Sequence, residues 1–97
     1  EAAWYDRVAD RATTLYPRLQ RPRGERFAHP TSGRGYSCEE VDDLLDRIVA
    51  YFDEAGELTA DEIRLSTFRP KRGKKAYMEG PVDAYLGRAV EILLAVD

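Results

Sequence analysis

The feature that most constrains this chain is an internal repeat with an offset of 41 residues. When the sequence is shifted by 41 positions without a gap, identical residues coincide along a helix-sized stretch and its preceding loop. The coinciding pairs are Phe27/Phe68, Tyr36/Tyr77, Val41/Val82, Asp42/Asp83, Leu45/Leu86, Arg47/Arg88 and Val49/Val90. We interpret the chain as two copies of one unit, each an aromatic residue, a basic glycine-containing loop, a tyrosine and an amphipathic helix.

Apolar spacing predicts helices near residues 2–16, 39–54, 59–65 and 80–95. Ser37 with Glu40, and Thr59 with Glu62, have the S/T-x-x-E spacing of a capping box. Pro17 is expected to end the first helix, since the residue before a proline avoids the helical region. Proline and glycine mark residues 17–35 as a loop, and residues 69–75 as a second, basic loop. The predicted fold class is therefore all-α.

The 97 residues are predicted to form a single domain. It would consist of an N-terminal helix and Arg/Pro-rich loop over 1–26, the first repeat over 27–56 and the second over 58–94. We expect the helical stripes of the two repeats to pair as an intrachain pseudo-two-fold unit, covered by the first helix through Trp4 and Val8, and a homodimer stays open. The predicted pairing residues are Val41, Leu45, Ile48, Val82, Leu86 and Val90.

Composition excludes several kinds of chemistry. One cysteine and one histidine cannot build a Cys/His zinc site or an internal disulfide, and no nucleophile or carboxylate stands at motif spacing from His29. The acids of the second helix are interpreted as ordinary helix surface. We predict no catalytic residue, no metal and no cofactor, and therefore no enzyme. No apolar run reaches the roughly 20 residues of a membrane span.

The repeated unit resembles the N-terminal domain of DivIVA, the bacterial scaffold of cell division and polar growth. The resemblance lies in Phe27, the basic loop, Tyr36 and the helix start Glu40-Val41-Asp42-Asp43-Leu44-Leu45-Asp46-Arg47-Ile48, and in the segment Leu58 to Ile63 that ends at Phe68. It covers residues 27–93, and the tandem arrangement is similar to actinobacterial proteins with repeated DivIVA domains. It implies a cytoplasmic scaffold that dimerises, docks its loop tips on the inner membrane face and polymerises through a coiled coil.

The sequence departs from this family where the loop would enter the membrane. The apolar anchor of the family falls three residues before the tyrosine, at Gly33 and Lys74 here, whereas the neighbouring base is present as Arg34 and Lys75. We therefore expect weak, electrostatic membrane contact and protein partners of the division or growth machinery. The predicted membrane or partner contacts are Phe27, Arg34, Phe68, Arg69, Lys71, Arg72, Lys74 and Lys75. Two alternatives stay open: a module that binds nucleic acid through its basic loops, although the aromatic-bearing sheet of RNA-binding modules is not predicted here, and a small ligand-binding domain.

Overall fold

A computed structural model describes residues 15–96. It contains four α-helices, which we number α1 to α4, and three short strands, β1 to β3. In chain order these are α1 (Tyr16–Leu19), β1 (Arg34–Ser37), α2 (Cys38–Phe52), α3 (Ala60–Arg64), β2 (Pro70–Arg72), a 3₁₀ helix (Gly73–Lys75), β3 (Ala76–Tyr77) and α4 (Glu79–Val96). The predicted helix over 2–16, with Trp4 and Val8, falls almost wholly outside the described residues.

The prediction of an all-α fold is wrong, because the two basic loops form an antiparallel sheet. The strand order is β2-β1-β3, with β1 in the middle. Arg34 pairs with Arg72 and Gly35 with Lys71 on one side of β1, and Tyr36 pairs with Tyr77 on the other. Backbone amide and carbonyl groups next to the core need hydrogen-bond partners. In this chain the groups of each loop find those partners in the loop of the other repeat.

Two further backbone hydrogen bonds cross between the repeats in an equivalent way. The Ser37 amide donates to the Arg69 carbonyl, and the Met78 amide donates to the Ala28 carbonyl, both at 2.8 Å. Ser37 and Met78 are 41 residues apart, and so are Ala28 and Arg69. Each repeat therefore supplies a carbonyl oxygen that accepts a hydrogen bond from the amide at or just after the end of a strand in the other repeat.

The predicted helices after residue 37 are present, with ends that differ by up to two residues. The capping box of α3 is complete: the Thr59 side chain accepts from the Glu62 amide, and the Glu62 carboxylate accepts from the Thr59 amide. At α2 the Ser37 side chain accepts from the Glu40 amide, but the Ser37 amide already pairs with Arg69. The Glu40 carboxylate accepts instead from the Arg69 amide, at 3.1 Å.

Pro17 has a role that the sequence did not predict, and the helix that it was expected to end falls almost wholly outside the described residues. It lies in the first turn of α1, where its missing amide hydrogen costs nothing because that turn has no intrahelical acceptor for it. The segment over 17–35 is thus not all loop. Leu15 and Leu19 are buried and bring this end of the chain into the core.

One core joins all the described helices and the centre of the sheet. Val41, Leu45, Ile48 and Val82 are fully buried, Leu86 is 8% exposed, and Val90 packs partly buried against them. The predicted pairing stripes thus lie in one cluster, although the most extensive helix packing of α4 is with α3. Both apolar stripes therefore pack against other residues of the same chain.

Candidate functional site

The register of the sheet brings the basic loops of the two repeats together. Arg34 lies opposite Arg72, and Lys71 lies opposite Gly35, while the 3₁₀ helix follows directly after β2. We call this cluster the basic tip; its members are Arg34, Arg69, Lys71, Arg72, Lys74 and Lys75, and all are exposed. Among the residues described, Arg69 alone of the six forms an ion pair, with Glu40 at 3.9 Å. The tip therefore carries a concentrated, largely uncompensated positive charge.

Two glycines shape the basic tip. Gly35 is buried, and a Cβ at this position would lie 2.2 Å from the carbonyl oxygen of Tyr77, so that only glycine lets β1 lie between its two neighbours. Gly73 has a φ of 60°, a left-handed conformation that ordinary side chains rarely adopt. It turns the chain from β2 into the 3₁₀ helix that presents Lys74 and Lys75.

The two phenylalanines predicted as contacts do not belong to this exposed surface. Phe27 is 2% exposed and packs edge-on against Tyr77 and Tyr85, with ring centroids 5.2 and 5.6 Å away. The Arg18 guanidinium covers its ring at 4.7 Å. Phe68 is half-buried against Tyr36, also at 5.2 Å. Neither phenylalanine therefore projects from the tip as the apolar anchor that a membrane would need.

Asp42 is the centre of a buried polar network that the sequence interpretation missed. It is 2% exposed, and its carboxylate accepts hydrogen bonds from the Tyr77 hydroxyl at 2.8 Å and the Gly24 amide at 2.7 Å. The guanidinium of Arg26, itself 6% exposed, lies 3.7 Å from Asp42 and 2.8 Å from Asp46. Burial and the bond to Asp42 hold the pKa of Tyr77 well above its usual range.

The matching pair joins Tyr36 of the first repeat to Asp83 of the second, in an open setting. The Tyr36 hydroxyl donates to the Asp83 carboxylate at 2.8 Å, as Tyr77 does to Asp42. This bond raises the pKa of Tyr36 to about 12. The repeat offset, which equates both tyrosines and both aspartates, was the sequence signal that could have revealed these crossed pairs.

Cys38 and His29 lie close together in the folded chain. The Cys38 sulfur is 3.9 Å from Nδ1 of His29, and that nitrogen lies 2.7 Å from the Ala76 carbonyl oxygen. Cys38 is buried, and this raises the pKa of its thiol to about 11. The thiolate needed for nucleophilic chemistry is therefore scarce at neutral pH.

Within residues 15–96 no three His, Cys, Asp or Glu side chains are grouped so that they could hold a metal ion. In the same residues, no helix combines the length and the apolar character needed to cross a membrane. Comparison of the chain with protein-family models, curated proteins and solved structures yields no match.

Proposed function

We propose that this domain is a non-enzymatic interaction module that rests its basic tip on an anionic membrane surface, in the manner of a DivIVA-like scaffold of bacterial division or polar growth. The observation that carries the proposal is the register of β1 with β2, which sets Arg34 against Arg72. Like charges directly opposite each other destabilise a sheet. An anionic ligand would compensate that repulsion.

The expected strength of this contact follows from the number of bases and the lack of an anchor. A base near an anionic bilayer contributes about 1 kcal/mol, and ions at physiological strength screen charges beyond about 8 Å. Phe27 is buried and Phe68 half-buried, so neither of the two predicted aromatic contacts is fully available to add apolar contact. Contact by one domain is then weak and salt-dependent, and stable residence needs several domains or a protein partner.

The core limits where such a partner can bind. The stripes of α2 and α4 face inward, so helix pairing with another chain through Leu45 or Leu86 would require the domain to open. Protein partners of the division or growth machinery would therefore use an exposed surface.

Co-sedimentation with vesicles tests the proposal. The protein should bind vesicles of phosphatidylglycerol at low salt, should release at about 1 M salt, where the Debye length is about 3 Å, and should not bind phosphatidylcholine. Lys74→Glu should weaken binding about tenfold or more, at about 1 kcal/mol per charge. Arg88→Glu makes the same charge change on α4, away from the tip, and should have a much smaller effect.

Two results would contradict the proposal. One is salt-independent binding to neutral lipid, which would require an apolar anchor. The other is binding to duplex DNA with a steep salt dependence and no binding to anionic vesicles, which would favour a nucleic-acid module.

A further inference from the structure

A cleft of about 360 Å³ lies beside the exposed pair formed by Tyr36 and Asp83. Its wall includes the half-buried rings of Tyr36 and Phe68 and the carboxylate of Asp83, and Thr67 and Gly87 also line it. Leu86 and Val90 of α4 supply apolar lining. The cleft thus combines one acidic group with aromatic and aliphatic surface.

The site around Asp42 is the equivalent of this cleft, and it is filled by a side chain of the protein itself. Offset by 41 residues, Asp83 corresponds to Asp42, Thr67 to Arg26 and Gly87 to Asp46. Beside Asp42 the Arg26 side chain is buried, and its guanidinium lies 3.7 Å from Asp42 and 2.8 Å from Asp46. It also donates to the Asp42 carbonyl at 3.2 Å. An arginine of the chain itself therefore fills the first site.

The second site lacks that arginine. Thr67 is too short to replace the guanidinium, and Gly87 has no side chain, which leaves room where Asp46 stands in the first repeat. Within residues 15–96, Asp83 forms no ion pair, and its hydrogen bond comes from Tyr36. Arg64 lines the cleft as well, but it is paired with Asp61 of its own helix.

We propose that this cleft binds the guanidinium of an arginine side chain presented by a basic segment of a partner protein, in the position that Arg26 fills beside Asp42. A carboxylate and adjoining aromatic rings suit a planar guanidinium, which forms charge-assisted hydrogen bonds and stacks on ring faces. An ammonium group uses such a site less well. This site is separate from the membrane contact, because neither its residues nor its ligand are those of the basic tip.

The test is an NMR titration of the full ¹⁵N-labelled chain with N-acetyl-arginine amide, compared with N-acetyl-lysine amide. Saturable shifts are expected at the amides of Tyr36, Asp83 and Gly87, with weaker binding of the lysine probe. Asp83→Asn should weaken binding of the arginine probe about fivefold, which corresponds to the largest free energy usually measured for a solvent-exposed ion pair. Glu91→Gln removes the same charge from an exposed position on α4 and should leave the affinity unchanged.

Two variants that copy the first repeat make the test independent of Asp83→Asn. A Cβ at Gly87 meets no atom within 4 Å, so Gly87→Asp should fit, and it should tighten binding of the arginine probe several-fold. Adding Thr67→Arg to Gly87→Asp should fill the cleft from within and abolish binding. No saturable shift at the cleft in both the natural chain and Gly87→Asp, or equal affinity in Asp83→Asn, would overturn the proposal.

Discussion

Tyr36 lies directly opposite Tyr77 in the antiparallel pairing of β1 with β3, and the two tyrosines hold the same position in the two repeats. Each hydroxyl donates to the aspartate of the other repeat at 2.8 Å. Each ring packs against the phenylalanine of the other repeat, at 5.2 Å in both cases. The chain thus folds by exchanging equivalent contacts between its halves, and differences between the halves show where one of them has specialised.

The two tyrosine hydroxyls should contribute unequally to stability. Tyr77→Phe removes a donor from buried Asp42 and an acceptor from the Arg26 amide, and it should cost about 1–3 kcal/mol, as for a buried polar group left unpaired. Tyr36→Phe frees an exposed carboxylate that water can solvate, and it should cost about 0.5 kcal/mol. Denaturant unfolding of both variants measures the difference. Equal costs would show that the Asp42 network is not specially dependent on Tyr77.

Gly35 should tolerate no side chain. A Cβ there would lie 2.2 Å from a backbone oxygen of Tyr77, and backbone cannot move aside without breaking the β1–β3 pairing. Gly35→Ala should therefore destabilise the domain by about 1–3 kcal/mol or more. Gly87→Ala makes the same chemical change in an open helical position and should stabilise by about 0.5–1 kcal/mol. Thermal unfolding of the pair tests this, and a stable Gly35→Ala protein would contradict the strand register.

The helices were predictable because their signals are local. Side-chain caps at Thr59 and Ser37 and apolar stripes at helical spacing lie within a few residues of one another, and the structure places α2, α3 and α4 where those signals indicate. The sheet was not predictable in this way. Its strands are two to four residues long, one begins at Pro70, and their pairing depends on backbone contacts between distant loops.

The candidate site could be predicted only in part, because its residue types are visible in the sequence but their arrangement depends on contacts between distant segments. The bases of the tip could be identified from the sequence, but their juxtaposition depends on the register that sets Arg34 opposite Arg72. Asp42 was interpreted as helix surface because an aspartate at a helix start usually is. Only the fold brings Arg26 and Tyr77 to it.

Alkaline pH should destabilise the domain through Tyr36. The bond to Asp83 raises the pKa of Tyr36 to about 12, whereas an unfolded tyrosine has a pKa of about 10. Below the unfolded value the proton is bound in both states and the contribution to stability is complete; as pH rises from about 10 through 12, the unfolded state alone loses its proton and stability falls. Denaturation midpoints measured across this range should fall less steeply in Tyr36→Phe. An unchanged slope would contradict the role of this bond.

Arg72→Glu should stabilise the domain while weakening its membrane contact. In the sheet it would place a carboxylate opposite Arg34, converting a repulsive cross-strand pair into an attractive one worth roughly 0.2–1 kcal/mol. On an anionic vesicle the same change reverses one of the tip's charges and should reduce binding about tenfold or more. Arg88→Glu supplies the control, since it changes the net charge equally at an exposed position away from the tip. Denaturation and vesicle co-sedimentation of both variants give the two readouts. A loss of stability in Arg72→Glu would count against the register of β1 with β2, and unchanged vesicle binding would count against the tip as the membrane contact, so the two ideas can fail separately.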